Sequence, residues 1–295
     1  MSERNQPIEL SKPTLNELNE TVQALREWQR DGEVVQLHPG DLGWYGRFGP
    51  EDTIDAIRRW SVDGKIVAIG LLDGSDLLRI AIDPEAEGNA ELAKQMAIDI
   101  TQPESGILSN GSGYVETRSG DLLREQLIDQ GWSLGDTWTS LRLDLSEPVE
   151  DSGLRVETVS PDQAHIRTAV QRAAFENSTF TEENWHAMAA GLPYTEARCL
   201  IAYDDDNSPV AIATVWSAGK GKPGLIEPHG VDPSHRGKGY GKAITLAAAE
   251  ALREMGSSSA TVCTDSANIA AVATYKSAGF EELPEIQDLR RAKEE

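Results

Sequence analysis

The stretch Val231-Asp232-Pro233-Ser234-His235-Arg236-Gly237-Lys238-Gly239-Tyr240-Gly241-Lys242 decides how the rest of the chain is read. Before it, residues 225–231 read as a strand. After it, Ala243, Ile244, Ala247, Ala251, Leu252 and Met255 recur at helical spacing until Gly256 stops the helix. A glycine-rich turn that opens a helix leaves several backbone N–H groups without intrahelical partners, and the helix dipole adds positive potential there. Together these features suit a diphosphate. Glycine keeps side chains from holding the phosphate off the amides, and Arg236, Lys238 and Lys242 supply charge nearby. The spacing excludes two other phosphate loops. A dinucleotide fingerprint needs glycine where Lys242 stands, and a Walker A loop needs glycine at Arg236 and Ser or Thr at Ala243.

Working outward, periodicity predicts a strand over 154–159, helices over 161–175 and 181–190, and a hairpin of strands 199–203 and 209–217 around Asp204-Asp205-Asp206-Asn207. Beyond the turn come a helix over 242–255, a strand over 260–264 and a helix over 268–278. Strands alternating with helices in this way predict an α/β chain with a mixed sheet. The first half repeats the pattern. Ile80-Ala81-Ile82-Asp83-Pro84 corresponds to His229-Gly230-Val231-Asp232-Pro233 at an offset of 149. Val115-Glu116-Thr117 and Gly131-Trp132 echo Cys263-Thr264-Asp265 and Gly279-Phe280 at an offset near 148. Several matches at nearly constant spacing indicate two copies of one fold, joined by the polar stretch 146–153. The expected domains are 1–148 and 153–295. An N-terminal helix over 15–28 leads into Val34-Val35-Gln36-Leu37 and an aromatic corner, His38 to Tyr45, expected to be core.

The 295 residues suit two domains, and 39% hydrophobic with 26% charged residues suits a globular chain. No run approaches a membrane span, and MSERNQPIEL has no apolar signal core, so a cytoplasmic protein is expected. The net charge of −22 argues against nucleic acid as partner. Residues 1–150 carry a net −15 and residues 151–295 a net −7. Five cations of the second half, Lys220, Lys222, Arg236, Lys238 and Lys242, form a basic island in an acidic protein. Cys199 and Cys263 have no metal-ligand spacing and read as core, and no metal is expected.

The string Val231-Asp-Pro-x-x-Arg236-Gly-x-Gly239-x-Gly241 resembles the acyl-CoA signature of the GNAT superfamily of N-acetyltransferases, (Arg/Gln)-x-x-Gly-x-(Gly/Ala). A second motif of that family follows at the right distance, Asn268-x-x-Ala271-x-x-x-Tyr275-x-x-x-Gly279-Phe280. The resemblance covers residues 225–281 closely and extends back to 154 through element order. It implies two tandem GNAT-like domains, each a twisted mixed sheet flanked by helices. It also implies acetyl-CoA as co-substrate, its pyrophosphate on the amides of the turn and its pantetheine arm between two splayed central strands. The cofactor-binding residues it implies are Gly230, Val231, Arg236, Gly237, Lys238, Gly239, Tyr240, Gly241, Lys242, Asn268, Ala271 and Tyr275. The sequence itself hints at the splay, because Pro228 cannot donate to a ladder and, with Gly230, suggests a bulge.

Acetyl transfer to an amine needs oxyanion stabilisation, a base and a proton donor. Backbone N–H groups around Gly230 and Val231 are candidates for the first. The resemblance makes Tyr275 the acid that protonates the departing thiolate. Glu227 is the candidate base, because burial on a central strand raises a carboxyl towards useful basicity. Strict alternation puts it on one face with Leu225, His229 and Val231, so His229 is an alternative or a relay. An ion pair of Glu227 with Lys220 or Lys222 is the competing reading. His235 reads as a polar loop residue. The acceptor is expected to be a primary amine of a small molecule or peptide, and the chain a monomer or homodimer. Binding of acyl-CoA without turnover is the alternative function.

In the first half, Glu85-Ala86-Glu87-Gly88-Asn89-Ala90-Glu91 replaces the cationic turn, and Leu127 stands at the position of Tyr275. Carboxylates there would repel phosphate by roughly a kcal/mol or more per pair, so this copy is expected to be degenerate and not catalytic. The highly charged tail 281–295 shows no good second strand, so the second sheet is expected to end early or to be completed by the first half.

Overall fold

In a computed structural model, residues 7–292 are described. The first six residues of MSERNQPIEL and the last three of the chain lie outside them. In chain order the first half contains β1 (Ile8–Ser11), α1 (Leu18–Trp28), α2 (Pro39–Tyr45), α3 (Pro50–Ala56), β2 (Ile57–Val62), β3 (Lys65–Leu72) and β4 (Leu77–Ile82). It continues with α4 (Ala90–Thr101), β5 (Gly113–Thr117), α5 (Asp121–Asp129) and β6 (Ser133–Asp144). The second half contains β7 (Arg155–Thr158), α6 (Ala164–Ala174), α7 (Glu182–Ala190), β8 (Ala197–Tyr203), β9 (Pro209–Trp216) and β10 (Pro223–Val231). It ends with α8 (Tyr240–Glu254), β11 (Ser259–Asp265), α9 (Ile269–Ser277), β12 (Glu281–Glu282) and β13 (Ile286–Arg291). Among the described residues no helix is long and apolar enough to cross a membrane, and no cluster of three or more His, Cys, Asp or Glu could hold a metal ion.

The strands form one mixed sheet in the order β1-β2-β3-β4-β5-β13-β6-β11-β10-β9-β8-β7, with β12 also on β6. Each half therefore contributes a strand to the other. β6 runs antiparallel along the whole of β11, from Asp144↔Ser259 to Trp138↔Asp265. β13 crosses back to lie between β5 and β6. This corrects the expectation that the charged tail holds no second strand. Leu289 of β13 is fully buried, and the neighbouring Asp288 accepts from the indole Nε1 of Trp138. A strand with a neighbour on each side and a paired acid can be charged and still central. The completion of one half by the other is reciprocal.

The cores follow the same plan. Ile226, Ile244, Leu246, Leu252, Val262, Tyr275 and Phe280 pack together under α8 and α9, and Leu141 of β6 and Leu145 just after it join them from the first half. On the opposite face α6 and α7 cover Cys199, Ile201, Ile212, Trp216 and Leu225. The aromatic corner sits at the junction of the halves. Cβ atoms at Gly40 and Gly43 of α2 would fall 2.5 and 2.3 Å from the Trp216 ring, so only glycine lets α2 lie on it. Trp44 stacks on Phe180 of the second half with ring centres 5.3 Å apart. The stretch between α1 and α2 straps the halves together. His38 Nε2 meets the Pro223 carbonyl at 3.3 Å, and Lys222 Nζ donates to the Glu27 and Gln29 carbonyls at 2.9 and 3.2 Å.

Candidate functional site

The turn after β10 is built by local hydrogen bonds. Asp232 accepts from the Ser234 amide at 2.8 Å and from its hydroxyl at 2.6 Å, which holds the short 3-10 turn Pro233–His235. Gly237 and Gly239 then take φ values of +77° and +87°, the left-handed region open to glycine at little cost. Gly239 is the N-cap of α8 and has no side chain to accept from the helix. The first-turn amides of α8 are thus left for a ligand. At the equivalent place in the first half, Asn89 caps α4 and its Oδ1 accepts from the amides of Glu91 and Leu92, both at 3.1 Å. That helix start is satisfied from within.

β10 and β11 are parallel partners only from Pro223↔Ser259 to Leu225↔Thr261. Beyond Leu225 they part, because β10 carries a bulge between Ile226 and His229 on its β9 side. Asp232 N donates to Val210 O at 3.0 Å, so by antiparallel alternation Gly230 bonds to Ile212 while the Val231 amide points into the gap. Of the two expected oxyanion donors, Val231 is the one free to serve. The first half is closed where the second half opens. There β4 and β5 pair from Leu77↔Tyr114 to Ile80↔Thr117, the positions equivalent to 226–229 and 262–265.

A cleft of about 590 Å³ occupies the gap and the turn. It brings together Gly230, Val231, Arg236, Gly237, Gly239, Tyr240, Gly241, Lys242, Asn268, Ala271 and Tyr275. Lys238 and Glu227 do not line it. Sequence reasoning missed Ala174, Phe175, Ala270 and Thr274, which also line it. Helical spacing from Ala271 would have found Thr274, and from Thr274 in turn Ala270; nothing local marks Phe175. Gly241 keeps α8 against α9, since a Cβ there would sit 3.0 Å from Thr274 Cγ2. At Gly230 a Cβ would fall 2.8 Å from Ala174 Cβ and 3.0 Å from the Phe175 ring. We expect Gly230→Ala to cost about 1–3 kcal/mol of stability by overpacking and to weaken acyl-CoA binding, checked by thermal melting and calorimetry.

The basic island is dispersed by its contacts. Arg236 donates to the last carbonyl of α6, Ala174 O, at 3.1 Å. Lys242 pairs with Glu150 at 3.0 Å, and Lys222 belongs to the strap. Asn268 caps α9 by accepting from the Ala271 amide at 3.2 Å. His235 faces Asp204 at 3.8 Å, as befits a loop residue.

Strict alternation along β10 fails at the bulge. Ile226 and Val231 pack towards α8, and His229 Nε2 meets Thr245 Oγ1 of α8 at 3.0 Å. Leu225 faces the α6 side, as does Gly230. Leu225 and Val231 therefore lie on opposite faces, and alternation does not carry through the bulge. The Thr245 hydroxyl donates to Gly241 O at 2.8 Å, so the imidazole donates from Nε2. Burial lowers the His229 pKa to about 4, which keeps the ring neutral.

The charges that act most on Glu227 are those of the first half, and Lys222 is bonded to the Glu27 and Gln29 carbonyls instead. Burial pushes the Glu227 carboxyl up to about 7, with Arg79 opposing and Asp41, Glu116 and Asp73 adding to the rise. Those groups form a cluster: Arg79 lies 2.8 Å from Asp41 and 2.9 Å from Glu116, and Arg118 lies 3.3 Å from Glu116. Tyr275 is 6% exposed, its ring 5.4 Å from that of His229. Burial, then the charges of Glu227 and Cys263, drive its pKa well above the usual tyrosine value. The hydroxyl is a donor at any working pH. Burial likewise raises the Cys263 thiol, so it is not a ready nucleophile.

Residues 165–280 match the model of the acetyltransferase (GNAT) family. A mycothiol acetyltransferase of Renibacterium salmoninarum is 29% identical over 146 residues, 48% of this chain and 41% of that protein. Another, of Thermobispora bispora, is 49% identical over 51 residues, 17% of each chain. The matched segments span less than half of either relative. Among solved structures, a tandem GNAT protein from the clavulanic acid biosynthesis pathway superposes with a TM-score of 0.62 at 15% identity, covering 98% of this chain and 99% of that one. That likeness extends the fold over both halves.

Proposed function

We propose that this chain, whose residues 165–280 match the acetyltransferase (GNAT) family, transfers an acetyl or short acyl group from acyl-CoA to a primary amine, by direct attack within a ternary complex. The observation that carries this reading is the contrast between the two helix starts. α8 offers uncapped amides beside a parted strand pair, and α4 offers neither.

Acyl-CoA brings an activated thioester, and the residues divide the remaining work. The amides after Gly239 hold the diphosphate with help from the helix dipole. The Val231 amide stabilises negative charge on the attacked carbonyl oxygen. Glu227, which stands outside the cleft lining, takes the amine's proton through water, and a carboxyl pushed up to about 7 suits a base at neutral pH. Tyr275 returns a proton to the sulfur. The first half supplies strand β6, the strap and the charged surroundings of Glu227, and holds no acyl-CoA of its own.

Calorimetry with acetyl-CoA tests the binding site. One site per chain is expected, weakened about thirtyfold in Arg236→Glu, on the order of 2 kcal/mol for reversing a charge near phosphate in largely solvated surroundings. Two equal sites, or an unchanged Kd, would contradict the assignment. Release of CoA thiol with a panel of amines (a polyamine, an aminosugar, amino acids and a peptide N-terminus) tests turnover. Binding without release for every amine would favour an acyl-CoA-binding module instead.

A further inference from the structure

The two halves have exchanged their open helix starts. In the second half α8 begins uncapped at Gly239, while the Asn268 side chain caps α9. In the first half the Asn89 side chain caps α4, and α5, the counterpart of α9, begins uncapped at Gly120. The Asp121 and Leu122 amides at its start have no acceptor among the described residues. Both residues line a pocket of about 490 Å³ between the acidic turn, the stretch before α2 and the start of α5. It is the counterpart of the second half's cleft, because Glu87 stands where Arg236 does and residues 119–122 stand where 267–270 do.

A second, independent donor lies in the same wall. Gln36 lines the pocket and is 7% exposed. Its Oε1 accepts from Ser119 Oγ at 2.9 Å, and its Nε2 has no partner among the described residues. A buried amide nitrogen without an acceptor is costly. An anionic oxygen of a ligand would satisfy it together with the two helix amides.

The remaining walls are acidic. Glu33, Glu87 and Asp121 line the pocket, and none is in an ion pair among the described residues. Arg118 is spent on Glu116 at 3.3 Å and on Val35 O at 3.0 Å, so Arg30 is left as the cation facing three carboxylates. Burial and the Glu33 charge push the Glu87 carboxyl up from its ordinary value, with Ser119 and Arg30 opposing. A diphosphate would be repelled here. Among the described residues no three such groups are gathered as a metal site, so the carboxylates suit separate ammonium groups. The pocket thus calls for one anionic group and more than one cationic group on the same small molecule.

We propose that this pocket binds an amino acid with a cationic side chain. Its α-carboxylate would lie on the Asp121 and Leu122 amides and Gln36 Nε2, and its two ammonium groups among Asp121, Glu33 and Glu87. The first half has then kept the place of the cleft and changed its ligand. No acyl group takes part, so the site does not depend on the acyl transfer proposed above.

The test is calorimetry on the full chain without acyl-CoA, using L-lysine as probe. Two part-ligands accompany it: 1,5-diaminopentane, which lacks the carboxylate, and L-norleucine, which lacks the second ammonium. L-lysine should bind one site per chain, and each part-ligand about tenfold or more weakly, as for loss of a charge-assisted hydrogen bond. Glu87→Gln and Gln36→Met should each weaken L-lysine by a similar factor, and Arg236→Glu should leave it unchanged. Should Gln36→Met fold poorly, the isosteric change at the partly exposed Glu87 decides the matter. Diaminopentane bound as tightly as L-lysine would reduce the pocket to an acidic patch and overturn the proposal. So would the absence of L-lysine binding up to about 10 mM, an affinity too weak for a built site. Binding that is lost in Arg236→Glu and kept in Glu87→Gln would place L-lysine in the second half's cleft, which also overturns the proposal and leaves the acyl-transfer reading standing.

Discussion

Expressed without residues 1–152, the second half is expected to be insoluble or unfolded and to bind no acetyl-CoA, although it contains the whole cleft. The reason is strand β6. It pairs with all seven residues of β11, from Ser259 to Asp265, whereas β10 pairs with only three. Removing it leaves the central strand of the site as a bare edge, a ready template for aggregation. Leu141 and Leu145 also leave the core that holds Val262, Tyr275 and Phe280. Two buried leucines are worth roughly 3–6 kcal/mol, a large part of the 5–15 kcal/mol typical of a whole domain. β12 and β13 would lose every partner strand, since all of theirs belong to the first half. Circular dichroism, thermal melting and calorimetry on residues 153–295 check this. A soluble fragment that melts cooperatively and binds acetyl-CoA would show that the exchange is not required. Co-expression with residues 1–152 should restore both properties.

Deleting residues 284–295 from the full chain poses the complementary question. It opens a gap between β5 and β6 at the fully buried Leu289, so the first half, which carries no cleft residue, should be the part that melts early. The two experiments separate the stability of the halves from the chemistry of one.

What could be read from the sequence was local. The turn at Arg236–Gly241, helix α8 and the hairpin of β8 and β9 are marked by glycines and by periods of 3.6 and 2, which act within a few residues of each other. The strand exchange is a pairing between residues more than a hundred positions apart, such as Cys263 with Ser140, and no local pattern encodes it. The tail was misread for a related reason. Its charges suggest solvent, but Asp288 is buried because Trp138 of another strand donates to it. The alternation that put Leu225 and Val231 on one face assumed a regular strand, and the bulge that breaks it was signalled only by Pro228 and Gly230. The surroundings of Glu227 were invisible for the deepest reason. Arg79 and Asp41 are ordinary surface-type residues in sequence, and only the fold brings them together, 2.8 Å apart.

Tyr275→Phe is expected to lower kcat by about 10²- to 10³-fold, the range for loss of a positioned proton donor, with little change in acetyl-CoA affinity. The variant removes one oxygen and leaves the ring. That ring is fixed between His229, at 5.4 Å, and Phe280, at 6.0 Å, and is almost fully buried, so the packing of α9 on the cleft should survive and the melting temperature should move little. The hydroxyl itself is held protonated by burial and by the nearby Glu227 charge. It can therefore give a proton to a departing thiolate but does not ionise in the range where enzymes are assayed. The pH dependence of the wild type should then show a rise in rate through about 7, where Glu227 becomes a carboxylate, and no fall attributable to Tyr275 on the alkaline side. In the variant the same rise should persist at the same pH with a reduced plateau, because Glu227, the proposed proton acceptor, is untouched. A variant that keeps more than about a third of the wild-type kcat would remove Tyr275 from the reaction and leave solvent as the source of the thiol proton. A variant that instead loses acetyl-CoA binding would make the tyrosine a wall of the cleft. The measurements are steady-state rates across pH, with calorimetry on the same preparations, and they assign the hydroxyl to one of these three roles.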